Sequence, residues 1–286
     1  MSANTFQPRA RQQWPLKKWL LWICLALVAV LQIYPLIWLV FFSLKTNIDI
    51  YSGNIMWLPS KFIWENYAVA FQDSNVGVYL LNSVIVTAAT LFFTLTLASM
   101  ASYAIARMHW KLKQTVFNIF LLGMMIPLHA ALLPVFLVLK NIHLLNTYWA
   151  LIIPYVGFAI PLAVLLLTNY FKTIPNEMEE SAVIDGASVW RMFVSIIFPL
   201  AKPAISTIMI FTYLSSWNEL MFAVTFINKQ KLKTLTVGLM AMVGQHSTEW
   251  GPIGAGLIVA TIPTMLIYVL LSKQVQNGMI AGAVKG

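Results

Sequence analysis

Charge is what this sequence has least of. Asp, Glu, Lys and Arg make up 9% of its 286 residues, against about 25% in an ordinary soluble domain. Hydrophobic residues make up 60%, so the few polar side chains could not cover the surface of a water-soluble globule of this length. The scarcity of charge therefore excludes a soluble globular protein and predicts an integral membrane protein.

Other absences narrow the function. The single cysteine, Cys24, excludes an intrachain disulfide. No GxxxxGK[ST] phosphate-binding loop occurs, so energy from ATP has to come from another chain. No serine, histidine and acid stand in a hydrolase pattern, and His129 has no Cys, Asp or Glu at metal-ligand spacing. We therefore expect no catalytic residues, no metal site and no directly bound cofactor.

The basic residues do not indicate a nucleic-acid-binding protein. The net charge is +9, yet its lysines and arginines are scattered through short loops and do not form one basic face. In a membrane protein such charges report on orientation. We therefore expect no nucleic-acid partner and a lipid bilayer instead.

Long apolar runs are abundant. A helix needs about 20 predominantly apolar residues to cross a bilayer. Six segments meet this requirement, at about 19–44, 78–106, 115–139, 147–171, 204–228 and 253–272. No repeat or linker divides the chain, so residues 1–286 are predicted to form a single all-α transmembrane domain.

The first run is predicted to be an uncleaved span. It is longer than the roughly 7–15-residue apolar region of a signal peptide, and no small-x-small cleavage site follows it. The loop after it carries charge and is expected to be too polar to enter lipid. Its polar and aromatic residues include Asp49, Lys61, Trp64, Glu65 and Asp73.

Orientation follows from the lysines and arginines, which favour cytoplasmic loops. With the N-terminus in the cytoplasm, twelve of the 18 basic residues fall on the cytoplasmic side. Both termini are therefore predicted to be cytoplasmic.

A polar stretch, residues 174–190, interrupts the apolar pattern and is named the elbow below. Its acidic residues, four of the chain's nine, are Glu177, Glu179, Glu180 and Asp185. The three glutamates fall in the first turns of a predicted helix, where negative charge favours the positive helix end. Gly186 is suited to ending that helix in the left-handed conformation, and Ser188 to capping a second one. The elbow is therefore predicted to be two short helices exposed to water in the cytoplasm.

Glu219 is the one formally charged residue well inside a predicted span. An ionisable group at membrane depth is costly and suggests a function. Alternatively, the fifth span is shorter, and Glu219 lies at a helix break or near the outer interface. In either case Trp217, Asn218 and Glu219 combine an aromatic ring with hydrogen-bonding groups, which suits a sugar-like solute in a translocation pathway.

The loop after the fifth span contains an apolar segment, Leu235–Val243, that is too short to span a bilayer. It is predicted to be a re-entrant, interfacial or ordinary loop helix, or one lying under an extracytoplasmic partner. The stretch from Gln245 to Gly251 then mixes hydrogen-bonding residues with Trp250. It is compatible with a contact to a polar solute or a protein.

The elbow also resembles a family signature. Glu180-Ser181-Ala182-x3-Gly186-x9-Ile196-x-Phe198-Pro199 is similar to the EAA-x3-G-x9-I-x-L-P motif of permease subunits in binding-protein-dependent ABC importers. The departures are Ser181 for alanine and Phe198 for leucine. Further similarity to the carbohydrate branch, the maltose-type permeases, lies in Ile174-Pro175, Asn82-Ser83, Ala101–Arg107, Trp217–Glu219 and Gly278–Gly286. The resemblance covers nearly the whole chain.

This resemblance implies a type I importer permease fold with six transmembrane helices and a cytoplasmic coupling helix. It implies a bacterial or archaeal cell membrane, the inner one where there are two. The implied partners are a second related permease, two cytoplasmic ATPases that hold ATP-Mg, and an extracytoplasmic solute-binding protein that delivers a sugar. It assigns coupling to the ATPase to Glu179, Glu180, Ser181, Ala182, Asp185, Gly186 and Ala187, contact with the binding protein to Gln245, His246 and Trp250, and contact with the ATPases to Gly282 and Lys285.

Three other functions compete with this one. A secondary transporter or channel working alone would carry more buried charge, and a structural anchor does not account for the elbow. A permease for glycerol phosphate or a polyanionic oligosaccharide would have the same architecture. No dense lysine or arginine cluster for such an anion is found in the spans.

Overall fold

The computed structural model of the protein describes residues 15–244 and 248–283, with side chains described for 18–244 and 248–272. Within these ranges every regular element is a helix. The helices are α1 (Pro15–Ser43), α2 (Asn47–Tyr51), α3 (Glu65–Gln72), α4 (Val76–Arg107), α5 (Lys113–Gly123), α6 (Leu132–Asn141), α7 (Trp149–Phe171), α8 (Glu177–Ile184), α9 (Val189–Leu200), α10 (Lys202–Trp217), α11 (Met221–Phe226), α12 (Leu235–Ala241) and α13 (Trp250–Ala283). The predicted all-α class is confirmed.

Four helices in the described part of the chain, α1, α4, α7 and α13, are each long and apolar enough to cross a membrane. They contain most of the predicted spans 19–44, 78–106, 147–171 and 253–272. A further crossing arises if α9 and α10, which meet at an angle of 76°, are taken as one broken span. The chain is thus a multi-pass membrane protein.

The predicted span at 115–139 is not one helix. It is divided into α5 and α6 by turns over residues 124–131. Pro127 lies in this break and has no N–H to donate, and its ring disfavours helical geometry at Ile126. Hydropathy alone, which ignores backbone hydrogen bonds, does not register such an interruption.

The predicted span at 204–228 is also interrupted. Its helix, α10, ends at Trp217, and the short helix α11 begins at Met221. Glu219 therefore lies at a helix break, which is one of the two alternatives that the sequence left open.

The centre of the fold is the pair α4 and α7, which make the most extensive helix contact. Small side chains such as Ala98 and Ala163 lie fully buried between them, and the Ser102 hydroxyl donates to the carbonyl of Val164 at 3.3 Å. Small residues allow two membrane helices to approach closely, which strengthens dispersion contacts. Helices α10 and α13 pack beside this pair, and α1 lies at the periphery.

Helix α1 contacts the rest of the chain chiefly at its C-terminal end. Its residues from Trp19 to Ile37 are exposed, as expected for a span that faces lipid or another subunit. Near Ser43 it approaches α13 so closely that a Cβ on Gly254 would lie 2.9 Å from the Ser43 Cα. Glycine is required there because any side chain would separate the two backbones.

Helix α4 fixes the distance between the two ends of the molecule. It has 32 residues, which corresponds to about 48 Å at 1.5 Å per residue. Residues 44–75 precede its N-terminal end, whereas the elbow contacts its C-terminal residue, Arg107. The elbow and the loop 44–75 therefore lie at opposite ends of the transmembrane domain.

Candidate functional site

The elbow contains the two short helices that the sequence predicts. Helix α8 is followed by its C-cap residue, Asp185, and then by Gly186, which stops the helix at φ +73°. The Gly186 N–H donates to the Val183 carbonyl at 3.0 Å, and the Ala187 N–H donates to that of Ala182 at 2.9 Å. This pair of bonds is a Schellman motif, which satisfies carbonyls that the helix end would otherwise leave unpaired. The Ser188 hydroxyl accepts from the Arg191 N–H at 3.3 Å and caps α9.

An ion pair ties the elbow to α4. The Arg107 guanidinium binds the Glu179 carboxylate, and the Tyr103 hydroxyl donates to the same carboxylate at 2.9 Å. The side chains of Arg107 and Glu179 are only 5% and 17% exposed. A charge-assisted bond shielded from water is stronger than a surface ion pair, provided that the remaining donors are satisfied.

Arg107 satisfies those donors on the end of α7. Its guanidinium donates to the carbonyls of Phe171 and Ile174 at 3.3 and 2.9 Å. A cation at a helix C-terminus also interacts favourably with the helix dipole. One side chain thus joins the ends of α4 and α7 to the start of the elbow.

The signature residues of the elbow divide into an inward and an outward set. Ala182 is buried, and Ala187 and Glu179 are partly buried against the protein body. The outward set, which is exposed, consists of Glu180, Ser181, Asp185 and Gly186. Glu179, one of the residues that the resemblance assigns to coupling, is paired with the chain's own Arg107.

Large apolar side chains accompany the outward set. Ile184 is 86% exposed, Trp190 62% and Val183 59%. These side chains lie on a polar elbow at one end of the molecule, outside the helices that are long enough to span. An apolar patch rimmed by acidic residues is typical of a protein interaction site.

The connection from the elbow to α10 is bent and includes a π-helical turn. This turn, Phe193–Ile197, lies within α9, and α9 meets α10 at 76°. The ring of Phe193 packs against Tyr103 and Trp190, with centroid distances of 5.1 and 5.7 Å. The elbow is therefore in contact with α4 through Phe193 and continuous with α10 through α9.

The Glu219 side chain binds the first turn of α11 from the position before the N-cap residue, Leu220. Its carboxylate accepts from the N–H groups of Phe222 and Ala223 at 2.8 and 3.1 Å, and from the Tyr155 hydroxyl at 2.6 Å. The backbone carbonyl of Glu219 accepts from the Thr236 hydroxyl at 3.0 Å. Negative charge at a helix N-terminus is stabilised by the helix dipole, which is how the chain accommodates an acid at this depth.

The structure does not bring the three candidate pathway residues to one place. Glu219 lines a cavity of about 250 Å³ between α7 and α10, together with Tyr155, Phe158 and Ser215. Trp217 and Asn218 line a second cavity of about 560 Å³ formed with α12 and α13. The Trp217 ring is buried, stacks on Tyr213 and donates to the Ala260 carbonyl at 3.2 Å. Its contacts are those of a packed core residue.

The segment before α12, which leads to the residues expected to contact a binding protein, is held by side chains of α4. The Asn82 side chain donates to the carbonyls of Lys231 and Lys233, both at 2.9 Å, and the Ser83 hydroxyl accepts from the Leu235 N–H at 2.8 Å. The predicted short helix at Leu235–Val243 is observed as α12.

Three residues were expected to contact the binding protein. One of them, Trp250, begins α13, and its backbone N–H donates to the Asn47 side chain at 3.0 Å. Gln245 and His246 lie outside the described residues. Gly282 is in the last turn of α13, and Lys285 lies outside the described residues.

Comparison with known proteins identifies the family. Residues 95–280 match the family described as "Binding-protein-dependent transport system inner membrane component". The chain belongs to this family.

Curated members of known or probable transport systems align over nearly the whole chain. A "Probable ABC transporter permease protein YurM" of Bacillus subtilis is 34% identical over 97% of this chain and 92% of its own. The "Trehalose/maltose transport system permease protein MalG" of Thermococcus litoralis is 32% identical over 95% of this chain and 98% of its own. The "Diacetylchitobiose uptake system permease protein NgcG" of Streptomyces coelicolor is 33% identical over 90% and 86%. These relatives are transport permeases and not enzymes.

A solved structure supports the predicted fold. A chain of a bacterial ABC transporter involved in the import of the acidic polysaccharide alginate superimposes with a TM-score of 0.78. The match covers 94% of this chain and 99% of that chain at 22% identity. The predicted importer permease fold is thereby confirmed.

Sequence reasoning missed the residues that hold the family signature in place. Arg107 and Tyr103 lie in the Ala101–Arg107 segment, which was noted only for its resemblance. A lone arginine at the end of a long apolar run is the signal that could have identified the anchor, because it has to find buried acceptors. Tyr155, the partner of Glu219, gave no such signal, since tyrosine is common in apolar spans.

Among the described residues, no group of three or more His, Cys, Asp or Glu is placed to hold a metal ion.

Proposed function

We propose that this chain is a membrane-spanning subunit of an ATP-driven importer that forms half of the translocation pathway for a sugar or oligosaccharide. The elbow is the observation that carries the proposal, because it presents exposed apolar and acidic side chains on a rigidly anchored helix. The relatives support the sugar as cargo, since their names specify trehalose, maltose and diacetylchitobiose.

The elbow is the coupling helix in this proposal. Ile184 and Val183 enter a cleft of a cytoplasmic ATPase subunit, where burial of each side chain contributes about 2 kcal/mol. Glu180, exposed beside them, pairs with an arginine of that subunit. Glu179 stays with Arg107, so a displacement of the elbow moves the ends of α4 and α7 with it.

The partners follow from the same scheme. Two ATPase subunits hold ATP-Mg, and this chain binds no nucleotide itself. A second, related permease completes the pathway, and an extracytoplasmic solute-binding protein delivers the sugar. A solved complex of the alginate transporter with a "pentasaccharide-bound periplasmic protein", which superimposes on this chain with a TM-score of 0.64, supports that last partner by analogy of fold. The termini are cytoplasmic, and the C-terminal residues near Gly282 and Lys285 face the ATPases.

Solute passes the helix break at residues 218–220. Asn218 is exposed at this break and offers an amide to sugar hydroxyls. ATP-driven closure of the ATPases moves the elbow, and the bent connection through α9 transmits that movement to α10 and the break. The pathway is then open alternately to the outside of the cell and to the cytoplasm.

The test uses proteoliposomes that contain the complete transporter, with uptake of maltose or trehalose and sugar-stimulated ATP hydrolysis both measured. Ile184→Ser should reduce both activities about tenfold or more, because a loss of about 2 kcal/mol at the interface weakens docking about 30-fold. Leu112→Ser is the matched control, since Leu112 is 61% exposed in the loop between α4 and α5 at the same end. Equal activities in the two variants would contradict the proposal.

A second arm addresses the stand-alone transporter. The purified chain without other subunits should show no uptake of any tested sugar, whether or not ATP or an ion gradient is supplied. Gradient-driven uptake by this chain alone would favour a secondary transporter instead.

A further inference from the structure

Residues 55–62, in the loop between α1 and α3, fold back along the side of α1. The Trp38 ring N–H donates to the carbonyl of Ile55 at 3.0 Å, and the Tyr34 hydroxyl lies 3.7 Å from the Met56 sulfur. The chain then returns to the end of α1, where the Ile63 N–H donates to the Leu44 carbonyl at 2.9 Å. The segment is therefore a short excursion that starts and ends beside the last turn of a membrane-spanning helix.

The excursion extends from the C-terminal end of α1 toward the middle of that helix. Trp38 and Tyr34 precede the last α1 residue, Ser43, by five and nine positions, which at 1.5 Å per residue places them about 7 and 13 Å below it. The neighbouring surface of α1 is apolar and exposed, with Ile37 49% exposed. Residues 55 and 56 thus lie alongside the span and do not project away from it.

The backbone polar groups at the start of the excursion are satisfied within the protein. Lys45, whose side chain is almost completely buried, donates from its ammonium group to the carbonyls of Asn54 and Ile55. The Asn54 N–H donates to the Asp49 carbonyl at 3.0 Å. The backbone groups of Asn54 and the Ile55 carbonyl therefore need no water where the segment turns alongside the span.

The two charged groups of this network, on Asp49 and Lys45, are both bound by other groups of the protein. The Ser60 hydroxyl donates to the Asp49 carboxylate at 2.8 Å, and its hydrogen bonds hold the pKa of that carboxyl below the usual value. Burial lowers the pKa of the Lys45 ammonium, an effect that the Asp49 charge partly offsets.

The tip of the excursion, residues 56–58, is apolar and exposed. Met56 is 70% exposed, Trp57 78% and Leu58 61%. Tryptophan is enriched at the membrane–water interface, where its ring meets both the apolar and the polar layer. Three consecutive large apolar side chains exposed beside the end of a membrane-spanning helix are unfavourable in water.

We propose that Met56, Trp57 and Leu58 insert into the lipid leaflet at the Ser43 end of α1 and anchor the loop to the bilayer surface. The occupant is lipid, because the tip lies beside the end of a membrane-spanning helix and carries a tryptophan, the residue that is enriched where the bilayer meets water. The sequence-based expectation that the whole loop stays out of lipid is revised for these three residues, whose charged neighbours Asp49 and Lys61 lie outside the inserted tip.

The anchored loop also supports the neighbouring span. The Asn47 side chain accepts from the Trp250 N–H at 3.0 Å, and the Tyr51 hydroxyl donates to the Thr248 carbonyl at 3.1 Å. The start of α13 is therefore held by a loop whose height relative to the bilayer is fixed by lipid contact. This inference is independent of the transported solute.

The test is spin labelling of single cysteines on a Cys24→Ala background, in the full chain reconstituted with its co-purifying subunits into phosphatidylcholine liposomes. Labels at Met56→Cys and Trp57→Cys are compared with a reference on the apolar side of α1, Val30→Cys, and a polar reference at the end of α3, Gln72→Cys. Val30 is 64% exposed on α1, and Gln72 is exposed on α3. Collision with molecular oxygen reports lipid, and collision with a water-soluble nickel chelate reports water.

Labels at 56 and 57 should show a ratio of oxygen to nickel collisions close to that at 30 and several-fold above that at 72. A ratio equal to that at 72 would place the tip in water and overturn the proposal. Protection from both reagents would show that a protein subunit covers the tip, which would overturn it equally. Because Trp57 is so exposed, its replacement leaves the fold intact, and unchanged sugar uptake verifies this for each variant.

Discussion

Arg107 and Glu179, which are 72 residues apart in the chain, form an ion pair that fastens the elbow to the ends of α4 and α7. Under the proposed function, this pair gives a short helix at the molecular surface a firm connection to the transmembrane helices. An elbow attached only by its own flanking turns would yield when a partner pushed on it. Arg107 also donates to the Phe171 carbonyl, so under the proposed function the elbow and the two central helices are expected to move together.

The first prediction concerns this pair. Arg107→Met should destabilise the chain by on the order of 3 kcal/mol, because it leaves a partly buried carboxylate and several carbonyls without a donor. Glu179→Gln should cost less, since an amide oxygen still accepts from Arg107 or Tyr103. Thermal unfolding in detergent measures the first effect, and the ratio of sugar uptake to ATP hydrolysis in proteoliposomes measures coupling.

Arg191→Met is the control for that prediction, because it removes the same charge from an exposed position of the elbow region. The double variant Arg107→Met/Glu179→Leu should regain part of the lost stability, since no unpaired charge remains. If Arg107→Met unfolds and couples like Arg191→Met, the ion pair has no structural role.

The second prediction concerns Gly186. A Cβ at this position would meet no atom within 4 Å, but the φ of +73° is strained for any L side chain. Gly186→Val should therefore cost about 1–2 kcal/mol by conformation alone and redirect α9, whereas Gly186→Asn should be tolerated because asparagine accepts the left-handed region. We expect the valine variant to hydrolyse ATP with reduced uptake and the asparagine variant to resemble the parent. Equal coupling in both would show that the turn geometry does not matter.

The elbow could be predicted from sequence because its determinants are local. Glu177, Gly186 and Ser188 act on groups within a few residues of themselves. The start of α8, its end and the cap of α9 can therefore be predicted from the order of residues in the sequence. The long apolar helices could be predicted for a similar reason, since a run of about 20 apolar residues is itself the requirement for a span.

The parts that sequence reasoning missed depend on distant contacts or on a single backbone group. The partner of Glu219 is Tyr155, 64 residues earlier, and no pattern in either segment specifies the other. The break around Pro127 replaces a predicted span with two short helices, because one missing N–H outweighs a favourable hydropathy average. Trp217 was grouped with Asn218 and Glu219 by sequence adjacency, but the end of α10 directs it into the core.

The third prediction concerns Asn82, which is 2% exposed. Asn82→Leu keeps the number of side-chain heavy atoms but leaves the carbonyls of Lys231 and Lys233 and the Tyr148 hydroxyl without their partner. Each unsatisfied buried group costs about 1–3 kcal/mol, so the segment before α12 should open locally.

Limited trypsin digestion detects this opening, since the segment contains three lysines at positions 229, 231 and 233. Cleavage there should be several-fold faster than in the parent protein. Asn118→Leu, at an exposed position of α5, should leave the digestion rate unchanged. Slow cleavage in both variants would mean that the loop is held by other contacts.

The last prediction separates two roles for Glu219. If its carboxylate mainly caps α11, then Glu219→Ala should lower stability by about 2–3 kcal/mol, because two N–H groups and the buried Tyr155 hydroxyl lose their acceptor. Tyr155→Phe should lower it by roughly 1–2 kcal/mol and alter uptake in the same direction. Glu219→Gln should be intermediate, since the amide oxygen still accepts one bond while its NH₂ group meets a backbone donor.

If Glu219 instead serves the solute alone, the glutamine variant should raise the KM for uptake without changing the unfolding temperature, and Tyr155→Phe should change neither. Unfolding temperatures and uptake kinetics on the same three variants therefore decide between a helix cap and a solute contact.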